Sequence, residues 1–187
     1  MERHELRLTG SGGPGLILAG ILLAEAALHD GKNVVQSQSY GPEARGGASR
    51  SEVIISTEEI NYPKVDDCDI MLALTQDAAD KYISSLKPEG ILIIDSTVEN
   101  IPDRDDITVY NIPILDTATQ ELNKSMVANI IALGSIIELT EIVTQEYLEK
   151  ALLGRVPRGT EDLNRKALEV GVKLMKNYGE GSYGEIC

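Results

Sequence analysis

The 187-residue chain carries 17 Lys and Arg against 30 Asp and Glu, a net charge of −13. A chain this acidic lacks the basic footprint of a general nucleic-acid binder and is repelled by anionic membrane surfaces. Its length suits one sizeable core, so a single domain over residues 1–187 is expected, and with no Trp, no Phe and 7 Tyr that core must be aliphatic.

The first predicted element is a short apolar strand, Leu6 to Thr9, followed at once by Gly10-Ser11-Gly12-Gly13-Pro14-Gly15. A long apolar run, Leu16 to Leu28, comes next and predicts a helix over Pro14 to His29 that is buried on most sides. Pro14 fits the first helical turn, where a missing N–H costs nothing. Ala19, Gly20, Ala24, Ala26 and Ala27 keep the helix slim for close packing, and Gly31 supplies a C-terminal stop. Asn33 to Ser39 reads as a second strand and Glu52 to Ser56 as a third. No helix fits between Val35 and Val53, so a plain βαβ repeat is interrupted here by a hairpin-like or crossing excursion.

Asp69 to Leu74 is a continuous apolar run suited to a strand covered on both faces. Thr75 is placed to cap a helix that ends near Leu86, before Pro88. Gly90 to Asp95 and Thr108 to Asn111 complete the strands. Beyond Pro113 the pattern is helical: Met126 to Thr140, Glu141 to Leu153 and Glu161 to Tyr178, then a glycine-rich tail, 179–187, expected to be mobile. Alternating strands and helices with apolar central strands predict a three-layer α/β/α fold around a mostly parallel sheet, with a Rossmann-like glycine turn after the first strand. Leu16 to Leu28 contains Glu25 and is too short to span a bilayer, and no secretory segment follows Met1 to Glu5, so a cytoplasmic protein is expected.

Two glycine-rich turns are the candidate binding elements. Gly10, Gly12, Gly13 and Gly15 form the first, and Gly41, Arg45, Gly46 and Gly47 belong to the second, Gly41-Pro42-Glu43-Ala44-Arg45-Gly46-Gly47. Both fall at strand carboxyl ends, where such folds bind ligands. Free N–H groups at the helix start and the guanidinium fork of Arg45 together suit an anion such as phosphate. Arg50 belongs to the same small-residue stretch. The competing reading has Glu43 pair with an arginine while the loop packs on a partner. A dinucleotide site wants a carboxylate at the end of the second strand, and Gln36-Ser37-Gln38-Ser39-Tyr40 provides none.

Other chemistry is thin. His4 and His29 are the only histidines, and neither is placed for a nucleophile–base pair. Cys68 and Cys187 are too few for a disulfide framework or a four-cysteine iron–sulfur cluster, and Cys68 reads as a buried small hydrophobe. The acidic groups at Asp66, Asp67 and Asp69 and at Asp103, Asp105 and Asp106 lack metal-site spacing and read as solvated loops. Asp95-Ser96-Thr97 closes a central strand and reads as a turn with a cap. No catalytic or metal-ligating residue is assigned.

The first glycine turn opening an alanine-rich helix, Tyr40-Gly-Pro-Glu-Ala-Arg-Gly-Gly-Ala-Ser, Asn111-Ile-Pro, Met126-Val-Ala-Asn-Ile-Ile-Ala-Leu-Gly-Ser and Asn164-Arg-Lys-Ala-Leu-Glu-Val-Gly form a distinctive set. Together they resemble the gamma subunit, or gamma domain, of the 2-oxoacid:ferredoxin oxidoreductases over nearly the whole chain. One departure is Pro14, where the family often has Gln. The resemblance implies a subunit of an enzyme that oxidatively decarboxylates pyruvate, 2-oxoglutarate or a branched-chain oxoacid such as ketoisovalerate. That enzyme passes the acyl group to coenzyme A and the electrons to ferredoxin. Alpha, beta and ferredoxin-like delta subunits are the implied partners, and they hold the thiamine diphosphate and the iron–sulfur clusters. The gamma part lies beside the thiamine site, with coenzyme A as a possible ligand of the shared site. The isolated chain is expected to be inactive. Two other readings stay open at this point, a free-standing NAD-dependent enzyme and a purely structural assembly subunit.

Overall fold

The computed structural model describes residues 2–11, 13–39, 49–101 and 103–179, with the backbone alone at 13 and 14. Six strands form one sheet: β1 (Arg3–Gly10), β2 (Asn33–Ser39), β3 (Ser49–Ser56), β4 (Cys68–Ala73), β5 (Leu86–Asp95) and β6 (Thr108–Ile112). Their order is β2-β3-β1-β4-β5-β6. β1, β4, β5 and β6 pair in parallel, whereas β3 runs antiparallel to both of its neighbours, β2 and β1. The sheet is therefore mostly parallel, with a single reversed strand. Residues 40–48 are too few for a crossover helix, so the chain returns as a hairpin and inserts β3 beside β1.

Among the described residues the α-helices are α1 (Gly13–His29), α2 (Gln76–Tyr82), α3 (Ile114–Gln120), α4 (Ala128–Thr140), α5 (Gln145–Arg155) and α6 (Glu161–Gly179). Strand side chains alternate between faces, and two separate apolar clusters result. On one face Leu6, Leu8, Val53, Ile55, Leu72 and Ile93 pack with residues of α1, α3, α4, α5 and α6. On the other, Ile54, Met71, Leu92 and Ile94 pack with Ala78, Ala79 and Tyr82 of α2. The three layers are thus unequal, five helices against one.

Local chemistry explains the element ends. Thr75 caps α2 by accepting from the backbone N–H of Ala78, and Asp77 and Lys81 complement the helix dipole at its two ends. Gly31, with φ of 75°, follows α1. Glu141 takes a left-handed conformation, φ 50°, and ends α4. The strand after α2 begins earlier than the sequence predicts, at Leu86 instead of Gly90, and runs through Pro88. Arg104 donates to the carbonyls of Leu86 and Ile83, and Glu89, at φ 62°, donates to the Asp106 carbonyl at 2.7 Å. Those partners satisfy backbone groups that the ladder leaves unpaired around the proline and its bulge.

Helix α4 is buried along nearly its whole length because it lies between the sheet and α6. The α4–α6 crossing is set by glycine. A Cβ at Gly134 would collide with the Leu168 carbonyl oxygen, and one at Gly171 with the Ile131 carbonyl oxygen. Ser135 sits in this crossing and donates to the Gly171 carbonyl at 2.9 Å. Gly154 in α5 has nothing within 4 Å of a built Cβ and serves as a control. Gly134→Ala and Gly171→Ala should each lower the unfolding free energy by about 1–3 kcal/mol through overpacking. Gly154→Ala should be neutral or stabilising by up to about 1 kcal/mol. Urea unfolding followed by circular dichroism reads all three, and equal effects would discard the close-crossing account.

Candidate functional site

The chain leaves β1 for α1 on one face and leaves β4 for α2 on the other. β1 and β4 are neighbours, so the carboxyl ends of these two strands are a topological switch point, where a crevice must open. A cleft of about 440 Å³ lies there. Leu16, Leu18, Leu74, Leu115 and Met126 give it apolar walls, and Ser11, Thr75, Ser125 and Asn129 give it polar groups.

The geometry of the first turn is tight. Leu74 N–H donates to the Thr9 carbonyl at 3.0 Å, and the Thr9 hydroxyl donates to the Leu72 carbonyl at 2.7 Å. This draws β1 and β4 together, and a Cβ on Gly10 would lie 3.0 Å from the Leu74 Cβ. Glycine at position 10 therefore relieves a crowded contact with Leu74. Helix α1 starts immediately beyond, and no acidic residue of its own first turn offsets the positive end of its dipole. Asn129 of α4, buried, donates its side-chain amide to the Gly15 carbonyl at 2.9 Å and fixes the first turn of α1 against α4. Asp95, fully buried at the end of β5, accepts from Thr97 N–H and Oγ1 and from the Leu115 N–H at 2.8 Å. It acts as a turn and a cap, seating α3 so that Leu115 reaches the cleft.

Of the residues named from sequence, Gly10, Gly13 and Gly15 are brought together here. Gly12, Gly41, Arg45, Gly46 and Gly47 lie outside the described residues, as does the 180–187 part of the tail. The strand residues that flank 40–48 are at the same end of the sheet, since Ser49 pairs directly with Gly10. Sequence reasoning did not single out Asn129, Thr75, Leu115 or Met126 as wall residues. Asn129 stood inside a quoted segment, but nothing in a buried helix pattern says that its amide reaches across to α1.

Among the described residues no three or more His, Cys, Asp or Glu side chains converge as a metal-ligand set, and no helix is long and apolar enough to cross a membrane. Cys68 is fully buried in the α2-side core, where burial pushes its thiol up to about 12.

Comparison with known proteins adds the following. The family model described as pyruvate ferredoxin/flavodoxin oxidoreductase matches residues 5–174. The 2-oxoglutarate synthase subunit KorC of Methanocaldococcus jannaschii is 48% identical over 178 residues, 93% of this chain and 95% of that protein. The crystal structure of the gamma subunit of a keto/oxoacid ferredoxin oxidoreductase from Geobacter sulfurreducens superposes with a TM-score of 0.86 at 47% identity, covering 94% of this chain and 98% of that one. The 2-oxoglutarate:ferredoxin oxidoreductase of Magnetococcus marinus, solved with 2-oxoglutarate, coenzyme A and succinyl-CoA bound, superposes with a TM-score of 0.84 at 25% identity. There the match covers 94% of this chain but 31% of that one, so the same fold is one part of a longer polypeptide.

The buried thiol yields a direct test. In a Cys187→Ser background, Cys68 should resist a disulfide reagent at pH 8, where a thiol held near 12 has almost no thiolate. In denaturant one thiol per chain should react. Rapid labelling of the folded protein would contradict the burial of Cys68.

Proposed function

The chain belongs to the pyruvate ferredoxin/flavodoxin oxidoreductase family as a gamma-type subunit, and from that premise we propose how it serves the enzyme. Residues 1–187 act as one gamma-type domain in a cytoplasmic complex with alpha, beta and ferredoxin-like delta subunits. The complex decarboxylates a 2-oxoacid, passes the acyl group to coenzyme A and sends the electrons to ferredoxin. The substrate to try first is 2-oxoglutarate, the acid named in the two relatives from Methanocaldococcus and Magnetococcus. Thiamine diphosphate and the iron–sulfur clusters belong to the partner subunits, because nothing in this sequence supplies their ligands.

This chain's own contribution is a seat for coenzyme A at the switch-point cleft. The observation that carries the reading is the pairing of a helix start without an acidic residue in its first turn with a mostly apolar cleft beside it. Phosphate groups suit the α1 N-terminus, where backbone N–H groups and the dipole favour negative charge. A thin amide-bearing arm suits walls of leucine and methionine with a few hydroxyls and one amide. Gly10, Gly12, Gly13 and Gly15 let a ligand approach the backbone, and Gly41, Arg45, Gly46 and Gly47 provide the facing turn, with Arg45 as a planar donor fork.

The assembled enzyme provides the test. Arg45→Ala should raise the KM for coenzyme A about tenfold to a hundredfold, as expected when a charged hydrogen bond is lost. The partial reaction of 2-oxoglutarate without coenzyme A should be unchanged, and Arg45→Lys should restore only part of the loss, since a point charge does not replace the fork. An unchanged KM with normal assembly would remove Arg45 from the site. An unchanged KM with poor recovery of the complex would make the loop an assembly contact instead.

A further inference from the structure

Four polar side chains stand on the walls of the switch-point cleft: Ser11, Thr75, Ser125 and Asn129. Ser11 and Ser125 are exposed, and Thr75, half-buried, is engaged as the α2 cap. Asn129 differs, since only 7% of it is exposed. No Asp, Glu, Lys, Arg or His is among the described residues that line the cleft.

The two ends of the Asn129 amide have different surroundings. Nδ2 donates to the Gly15 carbonyl at 2.9 Å, and because a carbonyl can only accept, this bond fixes which end of the amide is nitrogen. A Cβ built on Gly15 would lie 3.5 Å from Asn129 Cγ, so the amide lies close against the start of α1. Oδ1 is the end left over, and it has no hydrogen-bond partner among the described residues. Nor is it sealed from solvent: among the described residues the sealed side-chain polar atom without a partner is Asn111 Oδ1, on β6. A mostly buried side chain on the cleft wall thus keeps a carbonyl oxygen for water or for an occupant of the cleft.

An acceptor in this position selects what displaces its water. A ligand group with no hydrogen to give leaves the oxygen unpaired, and an unmade bond at a buried group costs more than a made one contributes. A cationic donor finds no counter-charge, since no carboxylate lines the cleft. A neutral N–H on an otherwise apolar chain suits both the oxygen and the leucine and methionine walls. We propose that Asn129 Oδ1 accepts a hydrogen bond from a secondary amide N–H in the arm of coenzyme A, and so makes the cleft specific for a thiol carried on an amide-bearing arm. The inference rests on the reading of this cleft as the coenzyme A seat, and it adds the residue that reads the arm as distinct from the phosphates. Through Nδ2 the same amide passes the contact on to the Gly15 carbonyl, so arm, Asn129 and α1 form one hydrogen-bonded row.

Steady-state kinetics of the assembled enzyme tests it, with coenzyme A and with two analogues, each carrying an ester oxygen in place of one amide N–H of the arm. In the wild type one of the two analogues should show a KM about tenfold or more above that of coenzyme A. Asn129→Leu should raise the KM for coenzyme A by a similar factor and no longer distinguish that analogue. Asn129→Asp, which keeps an acceptor oxygen but loses the bond to Gly15, should still distinguish it, whereas a purely structural role would make the two variants fail alike. Equal KM values for all three thiols in the wild type would overturn the proposal without any variant, as would undiminished discrimination by Asn129→Leu. Ser125→Trp, at an exposed position on the cleft wall, separates this inference from the reading beneath it. A raised KM for coenzyme A in that variant, with wild-type enzyme blind to the ester, would keep the seat and discard the role of Asn129. An unchanged KM in that variant would discard the seat and Asn129 with it.

Discussion

The carboxyl edge of this sheet depends on how closely β1 approaches β4 at its last residue. A backbone hydrogen bond from Leu74 to Thr9 and the Thr9 hydroxyl bond to Leu72 fix that approach, and glycine at position 10 spares Leu74 a crowded contact. With the two strands locked, their continuations must part to opposite faces, α1 to one and α2 to the other. The cleft is the space left by that parting, and the start of α1 is aimed along its rim. Asn129 then ties the first turn of α1 to α4, so the helix start is held by a buried partner and not by the turn alone.

The unequal layers follow from sequence. Five helices cover one face because the second half of the chain after β6 is almost wholly helical and packs onto α1. α4 can be apolar on all sides only because α6 crosses it at glycine distance. On the other face, α2 packs against β1 and β4, Ile54 of β3 joins its apolar cluster, and the buried Arg7–Glu52 pair bridges β1 and β3 beside it. Removing either partner would leave an uncompensated buried charge, which costs far more than the intact pair contributes.

Much of the fold was legible in the residues. β2 lies where its alternating run ends, Asn33–Ser39, and Thr75 caps α2 as its position before Gln76-Asp77 implies. The missing helix between Val35 and Val53 left a hairpin-like or a crossing excursion, and the hairpin-like one appears as antiparallel β3. The start of β5 was not legible, because Pro88 argues against a strand and the bonds that rescue it come from Arg104 and Asp106, distant in sequence. The end of α4 at Thr140 was legible, but α5 was read as starting at Glu141, one turn before Gln145, since Glu141 in a left-handed conformation looks like an ordinary helical residue on the page. Of the candidate site, the glycine turn stood out in the sequence because four glycines fall between positions 10 and 15. Asn129, Leu115 and Met126 were not, because cleft walls drawn from three separate helical segments share no local pattern.

We propose that the cleft between β1 and β4 receives coenzyme A. Hydrogen–deuterium exchange of the assembled enzyme, with and without coenzyme A, measures it most directly. The account predicts slowed exchange in peptides covering residues 9–18 and 125–129, the two segments that face each other across the cleft. Protection confined to other parts of this chain, or none in it at all, would contradict the claim.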